Sequence, residues 1–280
     1  MLPDLKLPPG FQFSQGSLQD FVDCRRRFQL RYIQNLAWPA LPSQPALESE
    51  LALQRGVFFH RLIHQQMLGV PISRLAASIQ DQAMVQWWEN YLACDEVRNG
   101  LALYPELSLS APLEGYRLIA KYDLVIITEK NSITIVDWKT SQKPPKPKWL
   151  KDRLQTRVYP YLLSCSDSQF LHSTLLQPEM IEMVYWFPNY PSSPVRFPYS
   201  SPRFREDHMI IKELINEIVE LRPEDFTLTS HIERCPYCVY RSYCNRGVQA
   251  GPFEEMEYDP ENDLDAGIHL DFEQIGEIEY

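Results

Sequence analysis

No apolar run in the 280 residues approaches the ~20 needed to cross a bilayer. The opening MLPDLKLPPG lacks the basic-then-apolar order of a secretory signal, so a cytoplasmic protein with no membrane attachment is expected. In that compartment thiols stay reduced, and clustered cysteines point to metal before disulfides. There is no internal repeat from which an array could be built. Residues 253–280 contain no lysine or arginine but eleven acidic side chains. Without them the chain has 26 acidic against 27 basic residues, so the net charge of −10 belongs to a tail and the body is near neutral. Apolar residues at 44% can fill the core of one large domain or two small ones.

The patterning predicts a helical N-terminal third. Residues 17–34 read as a helix capped by Ser17, with Leu18, Phe21, Val22, Phe28 and Leu30 on its apolar side, and further helices follow at 51–68 and 75–93. The character then changes to β-branched runs at 107–113, 116–128 and 132–139, a meander of three strands. The proline-rich stretch 141–149 reads as a basic loop. A helix at 150–163, a strand at 181–187 and a helix at 206–221 complete the body.

The segment ITIVDWKT, 133–140, carries the most chemistry. Side chains two apart on a strand share a face, so Asp137 and Lys139 arrive together. Phosphodiester hydrolysis needs carboxylates to hold Mg²⁺ or Mn²⁺ and a cation to stabilise charge developing on phosphorus. Asp123 interrupts the otherwise buried run IAKYDLV on the preceding strand, and an unpaired buried carboxylate is costly. It therefore faces a metal or a partner such as Lys121.

With these residues the chain resembles the RecB-like branch of the PD-(D/E)XK nucleases, which includes CRISPR-associated exonucleases and the nuclease domains of recombination helicase–nucleases. Four short motifs occur in the family's order: Gly56-x-x-x-His60, the strand aspartate Asp123, Asp137-Trp138-Lys139-Thr140, and Gln155-x-x-x-Tyr159. The resemblance implies a restriction-endonuclease-like α/β core with a mixed sheet. It implies that His60, Asp123, Asp137 and the Trp138 carbonyl hold Mg²⁺ or Mn²⁺. Lys139 would act on the attacking water or the transition state, while Gln155 and Tyr159 position the site and the DNA strand. The glycine usual before the strand aspartate is replaced here by Ala120-Lys121-Tyr122. Glu106 matches a common family position and could support a second metal, although an exposed strand glutamate is the simpler reading.

Cys235, Cys238 and Cys244 form C-x₂-C-x₅-C, which needs a fourth ligand. The resemblance assigns that place to Cys24 and the centre to a [4Fe–4S] cluster in a C-terminal region tied to the N-terminus. A Cys₃His zinc site using His231 is the alternative. Cys94 and Cys165 are expected as ordinary buried thiols.

Arg25, Arg26, Arg27 and Arg31, with Lys143, Lys146, Lys148, Lys151 and Arg153, are candidates for tracking a phosphate backbone, and Trp149, Tyr185 and Trp186 for stacking bases. The implied activity is a single-strand DNA exonuclease. The alternative is a non-catalytic iron–sulfur DNA-binding module supporting a helicase or CRISPR adaptation proteins. Residues 1–250 are expected as the nuclease domain and 251–280 as an acidic tail, which solvates the chain or, alternatively, covers a basic groove until DNA displaces it.

Overall fold

The computed structural model describes residues 7–36, 46–98, 100–128, 132–141, 146–166, 176–247 and 251. The acidic stretch from 252 onward and Lys143 lie outside them. The chain enters through a short strand, β1 (Gln12–Ser14), and turns directly into α1 (Gln15–Asp23). Ser14, and not Ser17, is the cap: its hydroxyl accepts from the Ser17 amide at 3.1 Å while the Ser17 hydroxyl accepts from the Ser14 amide at 2.9 Å. The single helix expected over 17–34 is broken. Cys24 is extended, α2 (Arg25–Phe28) restarts beyond it, and a π-helical turn follows at Gln29–Ile33. Little is lost in backbone bonding, because the Cys24 amide donates to the Asp20 carbonyl at 2.9 Å and its own carbonyl accepts from Phe28 at 3.2 Å.

Next come α3 (Ala46–Met67), α4 (Ile72–Ala76), α5 (Gln82–Leu92) and α6 (Asp95–Arg98). The one helix expected at 75–93 is thus two, divided where the Asp81 carboxylate caps α5 by accepting from Ala83 at 3.0 Å. The meander is present as β2 (Ala102–Leu113), β3 (Tyr116–Ile127) and β4 (Ile133–Trp138). Part of the proline-rich stretch read as loop is helical: Pro147 opens α7 (Pro147–Asp152), at a position where no amide hydrogen is required. Arg153 then separates α7 from α8 (Leu154–Cys165). The strands β5 (Ile181–Trp186) and β6 (Val195–Pro198) and the helix α9 (Ser201–Glu220) end the body. Strands β1 and β6 are additions to the sequence reading.

The six strands form one mixed sheet in the order β1-β3-β4-β5-β6, with β2 also on β3. Strand β1 lies parallel to the first part of β3, at Gln12–Ser14 against Arg117–Ile119. Strand β4 lies antiparallel to the last part, Leu124–Ile127. Between these two partners, β3 carries Lys121 and Asp123.

One face of the sheet is covered by α1, α8 and α9 through Leu18, Phe21, Val158, Leu162, Ile211 and Ile215. The other is covered by α3 and α5 through Phe59, Leu62, Trp87, Trp88 and Tyr91. On β3, Leu118, Ala120 and Tyr122 face the first core, but Leu124 and Ile126 face the second. The two-residue alternation slips by one across Asp123. On β2, Tyr104 and Leu107 both face the first core, so the partner strand slips opposite, and Glu106 with φ 52° absorbs it.

The C-terminal segment docks on the N-terminal helices. Phe226 stacks on Phe28 with centroids 6.2 Å apart, and the Tyr240 hydroxyl donates to the Leu36 carbonyl at 2.8 Å. Phe28 is fully buried, so Phe28→Ala is expected to lower unfolding free energy by about 3–5 kcal/mol in a urea titration.

Candidate active site and cysteine pocket

Strand β4 delivers Asp137 and Lys139 to the face beneath α8. The Gln155 amide donates to Asp137 Oδ1 at 2.6 Å, and Lys139 Nζ lies 2.9 Å from Asp137 Oδ2. Asp137 is 3% exposed and Lys139 6%. Either charge alone would carry a heavy desolvation cost there; together, with Gln155, they offset it. The Lys139 amide extends the β4–β5 pairing by donating to the Trp186 carbonyl at 2.9 Å.

The intervening residue faces the other way. The Trp138 ring is buried in the second core, edge-on to Trp186 and Tyr91 with centroids at 5.4 and 5.7 Å. This fixes its backbone, and both polar groups of that backbone are used. The Trp138 amide donates to Asp123 Oδ2 at 2.9 Å, and its carbonyl lies 3.0 Å from His60 Nε2. A carbonyl only accepts, so Nε2 carries the hydrogen in this contact. His60 Nδ1 is 3.4 Å from Asp123 Oδ1. His60 comes from α3, held by Phe59, Leu62 and Ile63 in the second core, with buried Gly56 one turn before it.

His60, Asp123, Asp137, Trp138, Lys139 and Gln155 are thus linked around one residue, Trp138, at the end of β4. Among the described residues, no three His, Cys, Asp or Glu side chains already stand grouped closely enough to hold a metal ion. The linkage is through two pairs, His60 with Asp123 and Asp137 with Lys139. The donor set nevertheless suits a hard divalent ion: carboxylates, an imidazole and a carbonyl.

Three expectations need correction. Lys121 pairs with Glu106, so Glu106 is a half-buried, paired residue inside β2 rather than an exposed one before a strand. Tyr159 is 2% exposed and its hydroxyl donates to the Lys121 carbonyl at 2.8 Å, so it holds β3 and does not reach a DNA strand. Tyr185 and Trp186 are core residues at 0% and 2% exposure, closed to base stacking. Half-buried Trp149 packs beneath the Arg153 guanidinium, 4.7 Å from its ring centroid. The arginine run has intramolecular partners: Arg27 and Arg31 pair with buried Asp20, Arg26 donates to Gln29 and the half-exposed Arg25 pairs with Glu217, while Arg153 of the second basic run pairs with Asp23. Lys146, Lys148 and Lys151 are exposed.

At the C-terminal end of α1, Cys24, Cys235, Cys238 and Cys244 line a single pocket, together with Asp23, Arg27, Arg234, Arg241 and Arg246. All four thiols are free and half-buried. Burial raises the pKa of Cys235, Cys238 and Cys244, and neighbouring thiolates raise it further; Cys238 is pushed up to about 11. The exposed His231 is outside this lining and contacts Glu233 at 3.0 Å. Cys94 is buried as expected, whereas Cys165 is exposed.

The family model for the PD-(D/E)XK nuclease superfamily matches residues 12–245, from β1 to the residue after Cys244. This chain belongs to that superfamily. A candidate exonuclease from Eubacterium rectale shares the fold at TM-score 0.52 and 13% identity, covering 92% of this chain and 94% of its own. The structure of SSO0001 aligns at TM-score 0.40 and 14% identity over 83% of this chain and 85% of its own. No curated protein matches the sequence.

In this PD-(D/E)XK chain the sequence reading missed Gln15, whose amide donates to the Tyr159 hydroxyl at 3.3 Å, and Gln19, whose side chain accepts from the Leu154 amide at 3.0 Å. A period-four polar stripe on α1 was the available signal. Tyr159→Phe keeps the ring but removes the hydroxyl's hydrogen bonds to the Lys121 carbonyl and the Gln15 amide. Its expected cost is about 1–3 kcal/mol in chemical denaturation.

Proposed function

We propose that this chain is a Mg²⁺- or Mn²⁺-dependent deoxyribonuclease of the RecB-like branch, an exonuclease on single-stranded DNA. The observation that carries this reading is the buried Asp137–Lys139 pair, held by Gln155 and joined through the Trp138 peptide to Asp123 and His60. His60, Asp123, Asp137 and the Trp138 carbonyl would hold the ion. When bound, it supplies charge neutralisation at the phosphate and a more acidic water. Asp137 and Asp123 fix that position because each is held from a second direction, by Gln155 and by the Trp138 amide. Lys139, its ammonium already beside Asp137, donates hydrogen bonds to the attacking water or to the charge that grows on the phosphoryl oxygens. Water adds to phosphorus and gives up a proton to solvent, the bond from phosphorus to the leaving sugar oxygen breaks, and that oxygen takes up a proton from solvent. Gln155 and Tyr159 are positioning residues.

For the second centre we infer a [4Fe–4S] cluster on Cys24, Cys235, Cys238 and Cys244. Its support is that these four line one pocket while His231 points to Glu233, which favours Cys24 over the Cys₃His zinc alternative. Its role is structural, fastening the C-terminal segment to α1. Residues 1–250 would be the nuclease domain and 251–280 a solvating acidic tail. The natural setting is the cytoplasm, on DNA made single-stranded by a helicase or handled by CRISPR adaptation proteins.

The test is cleavage of end-labelled single-stranded DNA by anaerobically purified protein with Mg²⁺ and with Mn²⁺. Metal-dependent cutting is expected, with Lys139→Ala slower by roughly 10²–10³-fold, and the product ladder gives polarity. A folded, iron-loaded wild type that does not cut would instead make this a DNA-binding module. Iron content with broad visible absorbance, both lost in Cys244→Ser, separates the cluster from zinc.

A further inference from the structure

Gln15, Gln19 and Asp23 lie four residues apart on α1 and are 2%, 6% and 5% exposed. Residues at this spacing share a helix face, and a buried polar face is costly unless every group on it is bonded. Here each is bonded toward α8 or the segment leading into it. Gln15 donates to the Tyr159 hydroxyl at 3.3 Å. Gln19 Oε1 accepts from the Leu154 amide at 3.0 Å, and Gln19 Nε2 donates to Asp23 Oδ1 at 2.9 Å. Asp23 Oδ2 lies 3.5 Å from Arg153, and Oδ1 also pairs with Arg234, next to Cys235.

The Leu154 amide is the first of α8, one of the donors that a helix cannot satisfy internally. Helix α8 has no side-chain cap of its own, since Arg153 occupies the cap position. Gln19 therefore serves as that cap from a distant part of the chain. The next residue of α8 is Gln155, which holds Asp137 at 2.6 Å. We propose that Gln19 is a positioning residue for the carboxylate Asp137: by capping α8 from α1, it sets where Gln155 stands and thus where Asp137 Oδ1 points. The inference rests on the reading of Asp137 as a metal ligand. It also gives the cysteine pocket a polar route to that carboxylate, through Arg234, Asp23 and Gln19.

The test is calorimetric Mn²⁺ binding to full-length, anaerobically purified protein, with single-stranded DNA cleavage beside it. Gln19→Met preserves volume and removes both hydrogen bonds. It is expected to weaken Mn²⁺ binding roughly 10–100-fold, as loss of an outer partner of a metal ligand does, and to lower kcat with little change in KM for DNA. Gln19→Glu with Asp23→Asn restores an acceptor for the Leu154 amide and a donor between the two side chains, and is expected to recover most of the Mn²⁺ affinity. Wild-type Mn²⁺ affinity in Gln19→Met overturns the proposal. So does a loss that the paired substitution leaves unrepaired, which would mark general loosening. A wild type that binds Mn²⁺ but cuts no DNA refutes the nuclease reading alone, because the binding comparison still decides the role of Gln19. A wild type that binds no Mn²⁺ refutes both.

Discussion

A buried carboxylate can persist only where something holds its charge on every side, and the middle of this fold is arranged around Asp137. Lys139 supplies the opposite charge and Gln155 a hydrogen bond, and both are buried with it. Removing one partner of such an arrangement commonly costs about 3–5 kcal/mol, because the other charge is left uncompensated. The helix carrying Gln155 must therefore sit at a fixed height over the end of β4. That requirement explains why α8 is fastened at so many points: Gln19 at its first amide, Asp23 on the Arg153 before it, Tyr159 to the Lys121 carbonyl, and Tyr122 to the Tyr159 carbonyl.

The phase slip in β2 and β3 answers the neighbouring problem. Asp123 lies between partners, where β1 has ended and β4 has not yet begun. With the slip, its carboxylate reaches the end of β4 and accepts from the Trp138 amide. The positive φ of Glu106 on the facing strand carries the strain, and its ion pair with Lys121 steadies the two strands at that level. Two carboxylates approach the Trp138 peptide because one strand stops short and its neighbour bends.

What could be read from the residues divides along locality. The meander and the arrival of Asp137 with Lys139 follow from alternation, which is a property of a few consecutive residues, and both are present. The pairing of Gln155 and Tyr159 on one face of α8 follows from helical period in the same way. The breaks at Cys24 and Arg153 do not, since the sequence on either side is a good helix former. Each break lies beside a group engaged by a remote segment, Asp23 with Arg234 and the Leu154 amide with Gln19. Burial was equally opaque: nothing in YWF distinguishes an aromatic that stacks on bases from one that fills a core, and the arginines of α2 gave no sign that Asp20 and Glu217 would take them. Gln19 was least visible, because a helix cap is sought just before its helix and this one comes from α1.

The closing of the chain ends gains a further meaning from that distance. Phe28 and Phe226 already bring the two ends together by apolar contact, and Asp23 with Arg234 by charge, so the cysteine pocket is assembled on a surface the fold has prepared. Three of the thiols in that pocket resist ionising, since burial and neighbouring thiolate charge raise the pKa of Cys235, Cys238 and Cys244. A positive centre bound there would relieve this repulsion. Asp23 shares its carboxylate with Gln19, so what steadies the pocket also steadies the start of α8. The polar face of α1 thus joins the cysteine pocket, through Asp23 and Gln19, to the start of α8 and the Gln155 that holds Asp137.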